Sequence, residues 1–135
     1  MPLVSITRLR LRSSRYILPF LYYTVRIHQQ AKKANGNVGV SLLRERGNVY
    51  WTRTLWTTED AMKAFMLAGP HAKVMRRLLE WCDEAAVVRW VHDTGHEPEW
   101  HEAHRRLQHE GRRSKVNHPS AAHQRYEIPE PKLRK

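Results

Sequence analysis

The feature that most limits how this chain can fold is the order in which its hydrophobic pattern changes over residues 3–92. Alternating apolar side chains predict strands, and apolar side chains repeated every three or four residues predict helices. Gly36 and Gly47 stand where a helix end and a hairpin turn favour a residue with positive φ. The predicted elements are strands over 3–11, 38–45, 49–56 and 85–91, and helices over 15–34, from Thr58 to Gly69 and from Pro70 to Asp83.

This order, β-α-β-β-α-β, predicts an α+β fold of the ferredoxin-like type, in which an antiparallel sheet carries its helices on one face. The strand over 49–56 has apolar side chains on both of its sides, so both faces of the sheet are partly apolar. Large exposed apolar surfaces are usually interfaces between proteins. We therefore expect a second copy of the chain to cover the free face and form a homodimer.

The composition changes after residue 92 and becomes rich in His, Arg, Glu and Pro. This change predicts a ferredoxin-like domain over 1–93 and a C-terminal extension over 94–135. The extension is expected to form a short helix at about 98–110 and then an extended tail. Three apolar residues of this helix form a narrow stripe that could dock it on the core: Trp100, Ala103 and Leu107.

The charge and the apolar content limit the possible partners. The formal net charge is +11, and residues 1–35 contain no acid, so nucleic acid is an alternative partner. However, the strand over 49–56 lacks the glycine and aromatic pattern of RNA-recognition modules, which makes this the weakest alternative. The longest apolar run starts at Ile17 and is far shorter than the ~20 residues that span a bilayer. The single cysteine, Cys82, suits a reducing compartment, so we expect a soluble, cytoplasmic protein without a membrane partner.

Motifs for metal, cofactor and nucleophilic chemistry are absent from the sequence. The spacing H-x4-H-x2-H over His96, His101 and His104 has no cysteine or carboxylate that would complete a familiar zinc site. There is no G-x-S-x-G and no phosphate-binding glycine loop. We therefore predict no metal site and no cofactor.

The stretch WTTEDAMKAF, from Trp56 to Phe65, resembles the antibiotic-biosynthesis-monooxygenase-like superfamily, with support from GPHAKVM and AAVVRWV further along. The resemblance covers about residues 3–92 and implies a dimeric α/β barrel built from ferredoxin-like subunits. It also implies two activities, cofactor-independent oxygenation of an apolar substrate and haem degradation. Phe65 stands where the haem-degrading relatives have a tryptophan, and His71 precedes the expected haem ligand, so both positions argue against haem turnover.

In the cofactor-independent oxygenases, an apolar cavity between sheet and helices holds the substrate, and this resemblance supplies the candidate site. The protein would oxygenate, or simply bind, a small apolar or anionic molecule, and Arg53 together with Arg8 and Arg10 of the first strand favours an anion. The catalytic candidates are His71, Arg53 and Asn48, and the substrate-binding candidates are Trp51, Trp56, Phe65, Met62 and Tyr50. His71 lies just inside a helix start, where the positive end of the dipole favours a neutral imidazole. The same aromatic residues could simply fill a core, in which case the protein would be a non-enzymatic dimeric scaffold.

Overall fold

The computed structural model describes residues 2–92 and 96–132. Its elements follow the predicted order, and the predicted boundary between residues 93 and 94 lies outside the described residues. The strands are β1 (Leu3–Leu11), β2 (Asn37–Glu45), β3 (Val49–Trp56), β4 (Cys82–Val91) and β5 (Arg112–Arg113). The helices are α1 (Ile17–Lys33), α2 (Glu59–Met66), α3 (Gly69–Trp81), α4 (Trp100–Glu110) and α5 (Ala121–Arg125).

The strands form one antiparallel sheet in the order β2-β3-β1-β4-β5. The central strand, β1, pairs Leu3 with Trp56 of β3 and with Val91 of β4. The outer strands β2 and β5 each have one neighbour among the described residues, so the sheet is open. This arrangement confirms the predicted α+β, ferredoxin-like fold.

Helices α1, α2 and α3 cover one face of the sheet, which we call the helix-facing side. The sequence starts α2 with Thr58, whose hydroxyl accepts a hydrogen bond from the Ala61 backbone N–H (3.1 Å). The buried apolar residues on this side form two separate clusters. One contains Leu9, Leu11, Phe20, Tyr50, Val74, Trp81 and Cys82, and the other contains Ala31, Trp56, Met62 and Phe65.

α3 passes directly into β4 at Cys82, where the sequence had predicted two further helical positions. Cys82 has extended dihedral angles (φ −106°, ψ 144°) and a fully buried side chain. Burial raises the pKa of this thiol to about 12. Cys82 is therefore a buried structural residue.

The C-terminal extension covers the opposite face of the sheet, which we call the extension-facing side. Ala103 and Leu107 of α4 are 0% exposed and pack with Val4, Ile6 and Trp51. The sequence predicted a second copy of the chain on this face. The stripe of Trp100, Ala103 and Leu107 docks α4 on the sheet, as the sequence suggested, so the extension itself buries this face.

The tail after α4 is held by hydrogen bonds. The hydroxyl of Tyr126 donates to the carbonyl of Leu107 (2.5 Å), and Gln108 bonds both Tyr126 and Ile128. A side chain at Gly111 would come within 2.5 Å of that same carbonyl oxygen. Because Gly111 has no side chain, the backbone at this position can approach Leu107 closely, and the tail can fold back on α4.

A buried ion pair joins the central strand to β4 and α5 on the extension-facing side. Arg8 Nη1 donates to Glu84 Oε1 (2.8 Å), and both side chains are almost fully buried. Ser120, which caps α5, donates to Glu84 Oε2 (2.8 Å).

Among the helices of the described residues, none is sufficiently long and apolar to cross a bilayer.

Candidate functional site

A strip of polar side chains separates the two apolar clusters on the helix-facing side. The register places Ser5 opposite both Thr54 and Arg89, and Thr7 opposite Thr52. All five alternate with residues that face the extension, so they lie beneath the helices. Polar groups in such a layer reduce apolar burial and need hydrogen-bond partners. This strip, Ser5, Thr7, Thr52, Thr54 and Arg89, is the floor of the candidate site.

A glutamine on α1 positions the chain above the floor. Gln30 Nε2 donates to the carbonyls of Phe65 (3.0 Å) and Ala68 (2.8 Å), and its Oε1 accepts from the His71 backbone N–H (3.0 Å). Between these contacts the chain turns at Gly69, which has a positive φ of 53°. Gln30 thus fixes the start of α3, and with it His71.

The hydrogen bond made by the His71 ring determines its tautomer. Nδ1 lies 3.1 Å from the carbonyl oxygen of Met66, and a carbonyl can only accept, so Nδ1 carries the proton. Burial lowers the pKa of His71, the Met66 carbonyl partly opposes this, and the charge of Arg89 lowers it further. The imidazole is therefore neutral at pH 7, and its Nε2 has a lone pair that can accept a proton.

Aromatic rings form a wall beside this imidazole. The ring of His71 lies 4.8 Å from that of Phe65, which lies 5.0 Å from that of Trp56. The indole Nε1 of Trp56 donates to the hydroxyl of Thr54 (2.9 Å), so the wall is joined to the floor. Met62 is buried in the same cluster. The arrangement combines a buried apolar cluster (Trp56 0%, Met62 2% and Phe65 8% exposed) with one proton acceptor beside it.

Two buried polar atoms on this side of the sheet, Arg89 Nε and the Tyr50 hydroxyl, have no hydrogen-bond partner in the described part of the chain, and neither has His28 Nδ1 of α1. Arg89 contacts the sulfur of Met66 (3.3 Å), which is a weak acceptor. Nearly all buried polar groups in folded proteins are paired. Unpaired atoms in this layer are what a binding site for a polar ligand would contain.

The structure divides the eight residues predicted for the site. Tyr50, Trp56, Met62, Phe65 and His71 lie on the helix-facing side. Trp51 and Arg53 alternate with Tyr50 and Trp56 along β3 and face the extension. Asn48 lies in the β2–β3 turn with φ 64°, and its carbonyl accepts from the Leu11 backbone N–H (3.0 Å). The eight residues therefore do not line one cavity.

Arg53 holds the start of the extension. Its guanidinium donates to Glu97 Oε2 (2.6 Å) and to the carbonyl of Pro98 (2.6 Å), and lies 4.2 Å from the ring centroid of Trp100. The guanidinium of Arg53 is thus already occupied by a carboxylate and by an aromatic face. These contacts stabilise the fold.

Arg89 and the polar floor were not predicted from the sequence. A signal was present, since Arg89 is the one charged residue of the AAVVRWV stretch and has the same parity as Ala85 and Val87. A charged residue in a strand buried on both sides needs a partner or a ligand. No group of three or more metal-ligating side chains occurs in residues 2–92 and 96–132.

The sequence profile of a family described as "Domain of unknown function (DUF3291)" matches residues 20–128. The chain belongs to this family. The match includes the helices above the candidate site and also α4 and most of the tail. A comparison with curated proteins finds no match to this DUF3291 chain.

Solved structures similar to this DUF3291 chain have the fold of antibiotic biosynthesis monooxygenases. SnoaB, a cofactor-independent oxygenase from Streptomyces nogalater, is 20% identical, with a TM-score of 0.55 over 69% of this chain and 94% of SnoaB. A crystal structure of an antibiotic biosynthesis monooxygenase is 9% identical, with a TM-score of 0.61 over 68% and 99%. Rv0793 from Mycobacterium tuberculosis is 11% identical, with a TM-score of 0.63 over 70% and 97%. The resemblance inferred from the sequence is thus confirmed at the level of the fold.

Proposed function

We propose that this protein is a monooxygenase-like enzyme that binds a small, apolar, enolisable aromatic molecule between the sheet and helices α1–α3, and oxygenates it without a cofactor. The observation that carries the proposal is the tautomer of His71, which leaves Nε2 as a proton acceptor beside the rings of Phe65 and Trp56. The structural similarity to SnoaB, described as a cofactor-independent oxygenase, supports the same interpretation.

The reaction starts with a proton transfer. His71 Nε2 takes a proton from an acidic C–H of the substrate, and the electron pair of that bond passes into an enolate. The hydroxyls of Ser5, Thr7 and Thr52 lie on the floor of the site, where they can donate hydrogen bonds to the enolate oxygen. The site thus stabilises the anion that reacts with oxygen.

Molecular oxygen is the oxidant. The enolate transfers one electron to dioxygen, and the resulting pair combines to form a C–O bond, which gives a peroxide anion. This anion takes the proton back from His71. Loss of water from the hydroperoxide then leaves a new carbonyl group, so that one methylene group and one dioxygen molecule give one carbonyl group and one water molecule. Aromatic walls at Phe65 and Trp56 favour this course because they keep bulk water away from the enolate.

Oxygen uptake with anthrone, an enolisable aromatic ketone, tests the proposal. The wild type should convert anthrone and one dioxygen molecule to anthraquinone and water faster than buffer does. His71→Gln should lower this rate by about 100-fold, because loss of a general base typically costs 10²–10⁴-fold. His109→Gln is the matched control, since His109 is exposed on α4, and its rate should equal that of the wild type.

Two results would contradict the proposal. Equal rates for wild type and His71→Gln would remove His71 as the base. If anthrone quenches the tryptophan fluorescence but oxygen uptake does not exceed that of buffer, the protein binds anthrone and does not oxygenate it.

The homodimer and the cytoplasmic location expected from the sequence stay predictions. The extension-facing side is already covered by α4, so two sheets cannot meet face to face while Ala103 and Leu107 occupy their observed positions. Light scattering on the full chain measures the oligomeric state directly.

A further inference from the structure

A second guanidinium group lies at the edge of the candidate site. The two-residue strand β5 pairs with β4, so that Arg112 is opposite Val87 and Arg113 is opposite Ala86. Val87 and Arg89 are two residues apart on β4 and share the helix-facing side. Arg112 is therefore a diagonal neighbour of Arg89 on that side, whereas Arg113 points to the extension-facing side.

Neither guanidinium is paired with a carboxylate in the part of the chain that the structure describes. Arg89 has a buried Nε without a partner, and Arg112 is exposed and makes no side-chain hydrogen bond with the described residues. Burial lowers the pKa of Arg89, and the positive charge of Arg112 lowers it further. Glu59 opposes this shift, but its carboxylate is already 3.2 Å from the ammonium of Lys63.

Two neighbouring cations without an anion cost electrostatic free energy, which an anionic ligand would recover. Guanidinium groups present several N–H donors in one plane, in a geometry that matches a carboxylate. Arg113 lies on the other face, opposite Ala86, and its Nη1 already donates to the carbonyl of Gln124 (2.7 Å).

We propose that Arg89 and Arg112 together bind a carboxylate substituent of the aromatic substrate, so that the protein selects aromatic acids. This inference rests on the proposed function, because it assumes that the aromatic part lies beside Phe65 and His71. Met66 links the two subsites, since its sulfur contacts Arg89 (3.3 Å) and its carbonyl contacts the His71 ring (3.1 Å). The carboxylate would thus be held on one side of Met66 and the reacting carbon on the other.

Isothermal titration calorimetry with 1-naphthoate and 1-naphthamide tests the inference, because the two probes have nearly the same shape and differ in charge. The wild type should bind naphthoate at least about 10-fold more tightly than naphthamide, as expected for charge-assisted hydrogen bonds. Arg112→Gln should remove most of this preference, because it should weaken the binding of the charged naphthoate much more than that of the neutral naphthamide. Arg113→Gln removes the same charge from the opposite side of β5, and its preference should equal that of the wild type.

Equal affinity of the wild type for both probes would overturn the inference. So would an equal loss of preference in Arg112→Gln and Arg113→Gln, because that result indicates a general attraction by the basic surface. The outcome for the oxygenase is separate: a naphthoate preference that depends on Arg112, together with no oxygen uptake from anthrone, would support the anion site and reject the oxygenase.

Discussion

Trp51 and Trp56 lie on the same strand and are both completely buried, yet they pack on opposite faces of the sheet. The ring of Trp51 is 6.4 Å from that of Trp100 in the extension, and its indole N–H donates to Glu45. The ring of Trp56 is 5.0 Å from that of Phe65, next to His71. Trp51 therefore packs against the extension that covers the sheet, whereas Trp56 is part of the candidate site.

This difference predicts separate effects of two matched substitutions. Trp56→Phe should weaken binding of 1-naphthamide, because it changes the wall of the site, whereas Trp51→Phe should leave that binding unchanged. Both should lower the free energy of unfolding by about 1–3 kcal/mol, because each removes a buried hydrogen bond and leaves a cavity. Urea unfolding and calorimetry measure the two quantities. Equal loss of binding in both variants would argue against a site on the helix-facing side.

His71 should make stability depend on pH in a defined direction. Since burial holds its pKa below the usual value of about 6.5, the unfolded chain binds the proton more readily than the folded protein. The free energy of unfolding of the wild type should fall as the pH drops below 6.5. His71→Gln has no imidazole to protonate at this position. Its free energy of unfolding relative to that of the wild type, measured by urea titration, should therefore rise as the pH is lowered from 7.5 to 5. His123 also has a lowered pKa, but it is present in both proteins and cancels. Parallel pH profiles would show that His71 titrates normally.

The Arg8–Glu84 pair predicts a large effect of removing one charge. Glu84→Gln would leave the guanidinium of Arg8 buried without its counter-ion, which typically costs about 3–5 kcal/mol. Glu127→Gln is the control, because its partner Arg125 is exposed and water replaces the lost contact. Chemical unfolding of the two variants should therefore differ strongly. Similar stabilities would mean that water reaches the buried pair.

The cover formed by α4 predicts how the extension contributes to stability. Leu107→Ala should lower the free energy of unfolding by about 2–5 kcal/mol, since Leu107 is fully buried against the sheet. Leu18→Ala makes the same chemical change at a side chain that is 80% exposed on α1, and should have little effect. Limited proteolysis should also cut the tail of Leu107→Ala before the rest of the chain, and faster than it cuts the tail of the wild type. A wild-type rate of cleavage in that variant would indicate that the tail is held independently of α4.

The sequence predicted the candidate site only in part. The resemblance carried by WTTEDAMKAF and GPHAKVM put Phe65, Met62 and His71 among the candidates, and these three lie together on the helix-facing side. Arg53 was assigned to the same site because it is polar and close in sequence. Its partners Glu97 and Trp100 are more than forty residues away, and nothing in the local pattern predicts that they meet.

The order of strands and helices was determined by the sequence itself, because alternation, helical spacing, caps and turn glycines are properties of neighbouring residues. The opposite parity of Trp51 and Trp56 is likewise local, since successive strand residues point to opposite faces. Which surface covers each face was decided only by the tertiary structure. Several apolar surfaces compete for the same sheet, and the extension takes the face that a second subunit could have covered. The same long-range packing brings Arg112 beside Arg89, so the charge of the candidate site depends on contacts that no local pattern contains.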